Sequence, residues 1–278
     1  MLAELHCHTT YSVGTKVLLE GLNSPKQMLM RAKNIGLNAL AITDHNEIKG
    51  ALEAKKLEKK YGLTVIVGEE ISTIQGHLLA LGIRERIEKK LDLQETLDLI
   101  HEQGGVAVAS HPFDIQRKGL GELARKCDAV EAFNALNVER IANYNNKKLA
   151  KRYGMPITAG SDAHCVEMLG YGITDIDAYD EASAIKAIRN GRTVILGTYI
   201  PTNAIMEWYV TRLKLSYVYV INYMNENYSW PKRTVARNLL RLVNRHPGKI
   251  DYLFKMFAYM SFFSVVTYSA SRQLLGIK

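Results

Sequence analysis

The sequence predicts an α/β fold, a parallel sheet or barrel built from strand–helix units, with a helical C-terminal extension. Short and almost wholly apolar segments alternate with helical segments over the first 198 residues. These apolar segments lack the alternating polar pattern of a half-exposed strand, as expected for parallel strands covered on both faces. From Tyr199 onward the alternation stops. We therefore divide the chain into a body, residues 1–198, and a mostly helical extension, residues 199–278.

The boundaries of the body's elements follow local signals. Ser24 and Pro25 form an N-cap and first-turn pair that begins the first helix, and Gly36 ends it. Glycines also end the later helices near residues 62, 104, 154 and 191. The predicted strands are one starting at Leu2 and others at residues 37–43, 63–67, 77–82, 106–109, 129–133, 156–159 and 193–196. A second predicted helix ends near Tyr61, and the remaining helices occupy residues 92–103, 119–126, 141–153 and 181–190.

Histidines and acids mark the strand ends. His6 and His8 follow the first strand and, being two residues apart, project from the same face. His77 stands at the start of its strand, so its side chain must reach back to the end of the barrel where His6 and His8 lie. The chemistry of such barrels lies at the carboxyl ends of their strands, so convergence of these groups predicts a metal cluster. The full candidate set is His6, His8, His45, Glu70, His77, His111, Asp162 and His164.

The amino-acid composition indicates the cellular setting of the protein and where its charge lies. The three cysteines, Cys7, Cys127 and Cys165, contain no C-x-x-C pair, and nothing resembles a secretory signal. We therefore expect a reducing, cytoplasmic setting and no disulfide framework. The net charge of +8 belongs entirely to residues 199–278, which hold eleven Lys or Arg and three Asp or Glu. This asymmetry indicates a separate role for the extension.

The candidate residues stand in a familiar order. The motifs are His6-x-His8-Thr9, Thr43-Asp44-His45, Gly68-x-Glu70-Ile71-Ser72, Gly76-His77, Ser110-His111-Pro112 and Ser161-Asp162-Ala163-His164. Together they resemble the PHP family, the polymerase and histidinol phosphatase metal-dependent phosphoesterases. The resemblance covers about the first 198 residues. It implies a distorted seven-stranded β/α barrel, and the branch it most resembles contains nucleoside 3',5'-bisphosphate and short-RNA hydrolases.

The resemblance also implies two or three divalent metal ions. His6, His8, Glu70 and Asp162 would hold the first ion. Glu70 would bridge to a second ion, completed by His77 and His111, and His45 and His164 would hold the third. Mixed histidine and carboxylate ligands suit Mn, Zn or Fe better than Mg. Asp44 is expected to orient a ligand histidine.

One position departs from the family pattern. The family usually carries a ligand in the segment after His-x-His, often within Ser-Asp-Gly, whereas this chain has Ser12-Val13-Gly14. Valine cannot coordinate a metal. Either the third ion is weak or absent, or Glu20 of the following loop replaces the ligand, or water fills the position. We expect a tight two-metal core with a labile third site.

The catalytic candidates are Glu70, Asp162 and His164, and His164 could protonate a leaving oxygen if the third metal is missing. Arg117 and Lys118 follow the His111 turn, where related hydrolases carry a phosphate-binding arginine. Lys16 is a further candidate. Asn134 ends a strand and is either a substrate contact or a structural cap.

The extension allows three interpretations. Residues 232–244 have the pattern of an amphipathic helix with arginines four residues apart, and Met256 to Tyr268 is strongly apolar but shorter than the ~20 residues that cross a bilayer. The segment could pack on the barrel or at a homodimer interface, bind RNA, or dock on an anionic membrane. If it serves only binding, deleting residues 199–278 should spare hydrolysis of small esters.

These observations predict a metal-dependent phosphoesterase that hydrolyses a phosphomonoester or phosphodiester of a nucleotide or short oligonucleotide with metal-activated water. One alternative is a catalytically quiet metal-binding module that acts through its basic tail. The other is a sugar- or histidinol-type phosphatase.

Overall fold

The structure is a computed structural model that describes residues 1–14, 17–114, 118–137 and 140–245, with isolated positions between 252 and 271. The strands are β1 (Leu2–Glu4), β2 (Ala39–Ile42), β3 (Thr64–Ser72), β4 (His77–Leu81), β5 (Val106–Ala109), β6 (Ala129–Asn134), β7 (Ile157–Gly160), β8 (Gly172–Ile176) and β9 (Thr193–Gly197). The α-helices are α1 (Pro25–Asn34), α2 (Lys49–Tyr61), α3 (Leu93–Glu102), α4 (Arg140–Tyr153), α5 (Glu181–Arg189), α6 (Thr202–Leu215), α7 (Tyr217–Asn227) and α8 (Trp230–Arg245).

The strands of the described residues form one sheet in the order β7-β6-β5-β4-β3-β2-β1-β8-β9. The sheet curls into a nearly closed barrel, because β7 returns to lie beside β8. There the Thr174 hydroxyl donates to the carbonyl oxygen of Ala159 and accepts from its backbone N–H, both at 2.9 Å. The α/β class is therefore confirmed, whereas these residues form nine strands instead of the seven that the family resemblance implies.

The sheet is mixed and not wholly parallel. β4 runs antiparallel to β3 and β5, and β8 runs antiparallel to β1 and β9. The physical reason is connection length: only residues 73–76 join β3 to β4, and a parallel crossover needs a dozen or more residues. The reversal carries His77 to the mouth, because β4 begins at the end of the barrel where its neighbours finish.

The core lies on both faces of the sheet. Alternate residues of β1 to β6, including Ile66, Leu79 and Leu81, are buried inside the barrel and contact α5. This packing fills the part near the amino ends of the strands and leaves the carboxyl ends for polar side chains. Helices α1, α2 and α3 cover the outer face. Ser24 caps α1 as predicted, by accepting from the backbone N–H of Gln27.

The described part of the extension contains helices α6, α7 and α8, and α6 packs on the body. Ile205, Met206 and Trp208 of α6 are buried in the same apolar cluster as Leu40 and Ile42 of β2. The arginine-bearing amphipathic segment forms α8, with Pro231 in its first turn. None of the helices among the described residues is long and apolar enough to span a membrane.

Candidate metal centre

A buried carboxylate, Glu70 of β3, lies at the centre of the predicted histidine cluster. Its side chain is only 1% exposed. Five imidazoles lie within 3.5 Å of its oxygens: His45 Nδ1 at 2.9 Å, His111 Nε2 at 3.0 Å, His77 Nδ1 at 3.1 Å, His8 Nε2 at 3.4 Å and His6 Nε2 at 3.5 Å. The structure thus brings together residues that lie up to 105 positions apart in the chain.

Strand alternation explains which glutamate faces the cluster. Glu69 and Glu70 are neighbours in β3, so their side chains lie on opposite faces. The Glu69 carboxylate accepts a hydrogen bond from the backbone N–H of Ile87, on the side away from the histidines. Glu70 points into the barrel mouth, as the sequence predicts.

The second carboxylate of the cluster is Asp162, which follows β7. Its Oδ1 lies 3.1 Å from His8 Nε2 and 3.4 Å from His6 Nε2. Asp162 has φ +53° and His111 has φ +30°, a region that residues other than glycine rarely adopt. Backbone strain of this kind collects at functional sites, where the surrounding structure holds it in place. Both strained residues carry candidate ligand atoms.

The donor atoms are spaced like the ligands of a metal ion. His6 Nε2 and His8 Nε2 lie 3.3 Å apart. Two nitrogens bound at about 2.0–2.1 Å to one tetrahedral ion would be separated by about 3.3 Å. Four groups in the described residues bring three ligand atoms within 4.8 Å of one another: His6–His8–Glu70, His6–His111–Asp162, His45–Glu70–His77 and His8–His45–His164.

One buried carboxylate oxygen is available to a cation. Glu70 Oε2 is buried and accepts no hydrogen bond from the described residues, although His45 Nδ1 lies only 2.9 Å away. A buried, unsatisfied carboxylate oxygen is costly unless a charge or donor compensates it. Imidazole and carboxylate donors are the ligand types of Zn, Mn and Fe sites. The residues therefore fit the metal ions that the sequence predicts.

The charges of the cluster are strongly coupled. Burial disfavours the ionised form of Glu70, but the neighbouring imidazoles outweigh it and hold its pKa well below the usual range. Burial also works against protonated His45 and His111, yet Glu70 raises the pKa of His45 to about 10 and that of His111 to about 9. Burial and the neighbouring His8 lower the pKa of His164 to about 3. His164 is then neutral near pH 7, which is the form that binds a metal ion.

Residues outside the predicted set hold the ligands in place. Glu131 of β6, 1% exposed, lies 2.9 Å from His6 Nδ1 and accepts from the backbone N–H of His111 at 2.8 Å. Sequence reasoning missed Glu131. The available signal was an acid within the otherwise apolar strand segment at residues 129–133.

Asp44 supports His8 through an intermediate hydroxyl. Its carboxylate accepts from the Ser12 hydroxyl at 2.9 Å and from the Thr9 backbone N–H at 2.6 Å. Ser12 Oγ in turn lies 3.0 Å from His8 Nδ1. The orienting role expected of Asp44 therefore acts through Ser12 and not by direct contact with a histidine.

Two further residues that line the cluster come from outside the family motifs. Glu20 Oε2 lies 3.2 Å from His45 Nε2. Trp208 of α6 is 5% exposed, and its ring centroid lies 4.4 Å from that of His164. The indole N–H of Trp208 donates to the carbonyl oxygen of Glu20 at 2.8 Å. The first helix of the extension is thus part of the wall of the site.

The structure describes two of the four residues predicted to contact the substrate. Arg117 and Lys16 lie outside the described residues. Lys118 is exposed beside the loop that carries His111. Asn134 is fully buried: its amide donates to Glu131 at 3.0 Å and to Asp162 at 3.3 Å, and its oxygen accepts from the backbone N–H of Leu136. These contacts favour the structural alternative for Asn134.

Two family models match the sequence. The model of the PHP domain matches residues 4–132, and the PHP-associated model matches residues 140–193. An uncharacterized protein of Methanocaldococcus jannaschii is 42% identical over 149 residues, which are 51% of this chain and 87% of that protein. A 5'-3' exoribonuclease of Haemophilus influenzae is 33% identical over 109 residues, 38% of this chain and 37% of the relative.

A solved structure shares the fold. It is a two-domain protein from Bacteroides vulgatus that contains a predicted PHP-like metal-dependent phosphoesterase. The superposition has a TM-score of 0.59 at 16% identity and covers 71% of this chain and 65% of that one. At this identity the likeness concerns the fold alone.

Proposed function

The chain belongs to the PHP domain family, and from this membership we propose that it is a metal-dependent phosphoesterase. The proposed reaction is hydrolysis of a phosphomonoester or phosphodiester, with a nucleotide or short oligonucleotide as the substrate class. The observation that carries the proposal is the contact of one buried carboxylate, Glu70, with five imidazoles.

The proposed ligands are His6, His8, His45, Glu70, His77, His111, Asp162 and His164. Divalent ions bound there would lower the pKa of water and neutralise phosphate oxygens. Glu131 supports this role by holding the ring of His6 so that Nε2 faces the cluster. Asn134 donates a hydrogen bond to the Asp162 carboxylate at 3.3 Å and so helps to hold it in place.

One side of the site is more exposed to solvent than the other. His45, His77 and Glu20 have side chains that are 15%, 14% and 22% exposed, whereas those of His6 and His8 are fully buried. The substrate would therefore approach from the side of His45 and His77. Lys118 and Arg117 follow the His111 loop in the chain and are the proposed positive contacts for the phosphate.

Two observations favour a nucleotide substrate. The 5'-3' exoribonuclease relative is similar over 38% of this chain. An error-prone DNA polymerase of Cutibacterium acnes is also similar, with 39% identity over 70 residues that make up 25% of this chain and 6% of the polymerase. Both names point to nucleic-acid chemistry, which supports nucleotides over sugar phosphates or histidinol phosphate as the class to test.

The experiment is an activity panel on the full chain. p-Nitrophenyl phosphate, its bis ester, nucleoside 3',5'-bisphosphates and short RNA are each incubated with Mn, Zn or Mg. We expect hydrolysis that needs added metal and is lost in Glu70→Gln. If the metal-loaded protein hydrolyses none of these substrates but binds RNA through its basic extension, the catalytically quiet module replaces this proposal.

A further inference from the structure

The segment after His8 lacks a metal-binding side chain at Val13, which is 57% exposed, yet it delivers a carboxylate seven residues later. Ser12 and Glu20 face each other across a hairpin, in which the N–H of Glu20 donates to the carbonyl oxygen of Ser12 at 3.1 Å. Val13 pairs with Leu19 in the same antiparallel arrangement. The hairpin thus brings Glu20 back beside Ser12, next to the histidine cluster.

Three histidines form a ligand group beside this hairpin. His8, His45 and His164 each offer one nitrogen, and these atoms lie within 4.8 Å of one another. The group is neutral when it binds a metal, because each imidazole must be deprotonated. Glu20 Oε2 lies 3.2 Å from His45 Nε2, outside the group of atoms within 4.8 Å, and adds a negative charge at its edge.

Two glycines, Gly14 and Gly21, let the backbone around Glu20 lie close to the segment that carries His8. A Cβ atom at Gly14 would lie 2.7 Å from Glu20 Oε1 and 2.4 Å from the Val17 carbonyl oxygen. A Cβ atom at Gly21 would lie 2.1 Å from the Thr9 carbonyl oxygen. Only glycine fits at either position, so the hairpin can press its carboxylate against the segment that carries His8.

The extension fixes the hairpin from the other side. The Trp208 indole N–H donates to the Glu20 carbonyl oxygen at 2.8 Å, and the Leu19 backbone N–H donates to the Ser216 hydroxyl at 3.2 Å. The Arg212 guanidinium packs over the rings of Trp208 and Tyr209 at 4.6 and 4.8 Å. These contacts hold Glu20 in place before any ion binds.

We infer that Glu20 is a metal ligand, which completes a third cation site with His8, His45 and His164, and that Trp208 of the extension positions it. The carboxylate supplies the charge that Val13 cannot, and it does so from a different point in the chain. This inference departs from the labile third site expected from the sequence. It deepens the proposed function and rests on it only in requiring that the cluster binds metal.

The test counts metal ions in the full-length protein. Wild type, Glu20→Gln and Glu47→Gln are equilibrated with the same free Zn or Mn and analysed by inductively coupled plasma mass spectrometry. Glu47 is the matched control, because it lies two residues from His45 but pairs with Lys49 at 3.0 Å. We expect three equivalents in wild type and in Glu47→Gln, and two in Glu20→Gln, whose affinity for the third ion should fall at least about tenfold.

A crystal structure with anomalous scattering from the metal gives an independent readout. A carboxylate oxygen of Glu20 should lie about 2.0–2.2 Å from a zinc ion. Trp208→Phe keeps an aromatic ring but loses the indole N–H, so it should retain the third ion with reduced affinity. Equal metal counts and affinities in wild type and Glu20→Gln would overturn the inference.

The outcomes separate this inference from the proposed function. Phosphoesterase activity together with an unaffected metal count in Glu20→Gln refutes only the role of Glu20. Loss of one ion in that variant, in a protein with no activity on any phosphate ester, supports the role of Glu20 and refutes the proposed reaction. A wild-type protein that binds no metal refutes both.

Discussion

His6 Nδ1 lies 2.9 Å from Glu131 Oε1, and both side chains are buried. When the Nδ1–H group donates a hydrogen bond to this carboxylate, Nε2 carries no proton and is free to face Glu70 and Asp162. An acid that accepts from the outer nitrogen of a ligand histidine fixes its tautomer and ring orientation. The structure thus places a carboxylate behind the cluster as well as within it.

The role of Glu131 predicts the behaviour of Glu131→Gln. We expect metal affinity to fall about 10–100-fold, because the amide no longer fixes the His6 tautomer with a charged acceptor. Calorimetric titration with Zn measures this affinity. Glu122→Gln, which changes an exposed acid near Arg152, serves as the control and should bind as wild type does. Unchanged affinity in Glu131→Gln would contradict the positioning role.

Metal binding should release protons. In metal-stripped protein near pH 7, His45 and His111 are protonated, because their pKa values are raised to about 10 and about 9, mainly by Glu70 acting against the effect of burial. Metal ligation requires the neutral imidazoles, so affinity should rise about tenfold per pH unit for each proton released. Titration calorimetry in buffers of different ionisation enthalpy counts these protons. Identical affinities at pH 6.5 and 8.5 would contradict the assignment.

The packing of α6 changes what truncation should do. Trp208 is 5% exposed and packs against His164, so Trp208→Ala should lower the free energy of unfolding by about 3–5 kcal/mol. Chemical denaturation followed by circular dichroism measures this loss. Deleting residues 199–278 removes the same contact and should impair hydrolysis even of small esters, contrary to the sequence-based expectation. A truncated protein as active and stable as the full chain would show that α6 is dispensable.

The three cysteines should be unreactive in the folded protein. All are buried, and burial raises the pKa of the Cys127 thiol to about 12. Only about one thiol in ten thousand would then be ionised at pH 8, and the thiolate is the reactive form. A thiol-reactive disulfide reagent should label Cys127 only after denaturation. Rapid labelling of the native protein would contradict this packing.

The sequence predicted much of the site because strand ends impose proximity. His6, His45, His111 and Asp162 lie far apart in the chain, but each follows a strand, and the carboxyl ends of neighbouring parallel strands meet at one mouth. The choice of Glu70 over Glu69 came from the family motif Gly68-x-Glu70-Ile71-Ser72, and alternation then places Glu69 on the opposite face of the strand.

Other features depend on contacts that no local pattern encodes. The sequence did not predict β8 (Gly172–Ile176), because this strand is short and begins among glycines. The hydroxyl of Thr174 in β8 closes the barrel against β7. The contact between Trp208 and Glu20 joins residues 188 positions apart. Its existence depends on how the extension folds back on the body, which the change in composition at residue 199 does not reveal.

The central claim is that the histidines and acids converge on cations. The most direct measurement is an anomalous difference map from crystals grown with Zn or Mn, collected on both sides of the metal's absorption edge. We expect peaks bounded by the Glu70 carboxylate and the imidazoles of His6, His8, His77 and His111. A map without peaks there, in crystals that contain the metal and with Glu70 paired only to protonated histidines, would contradict it.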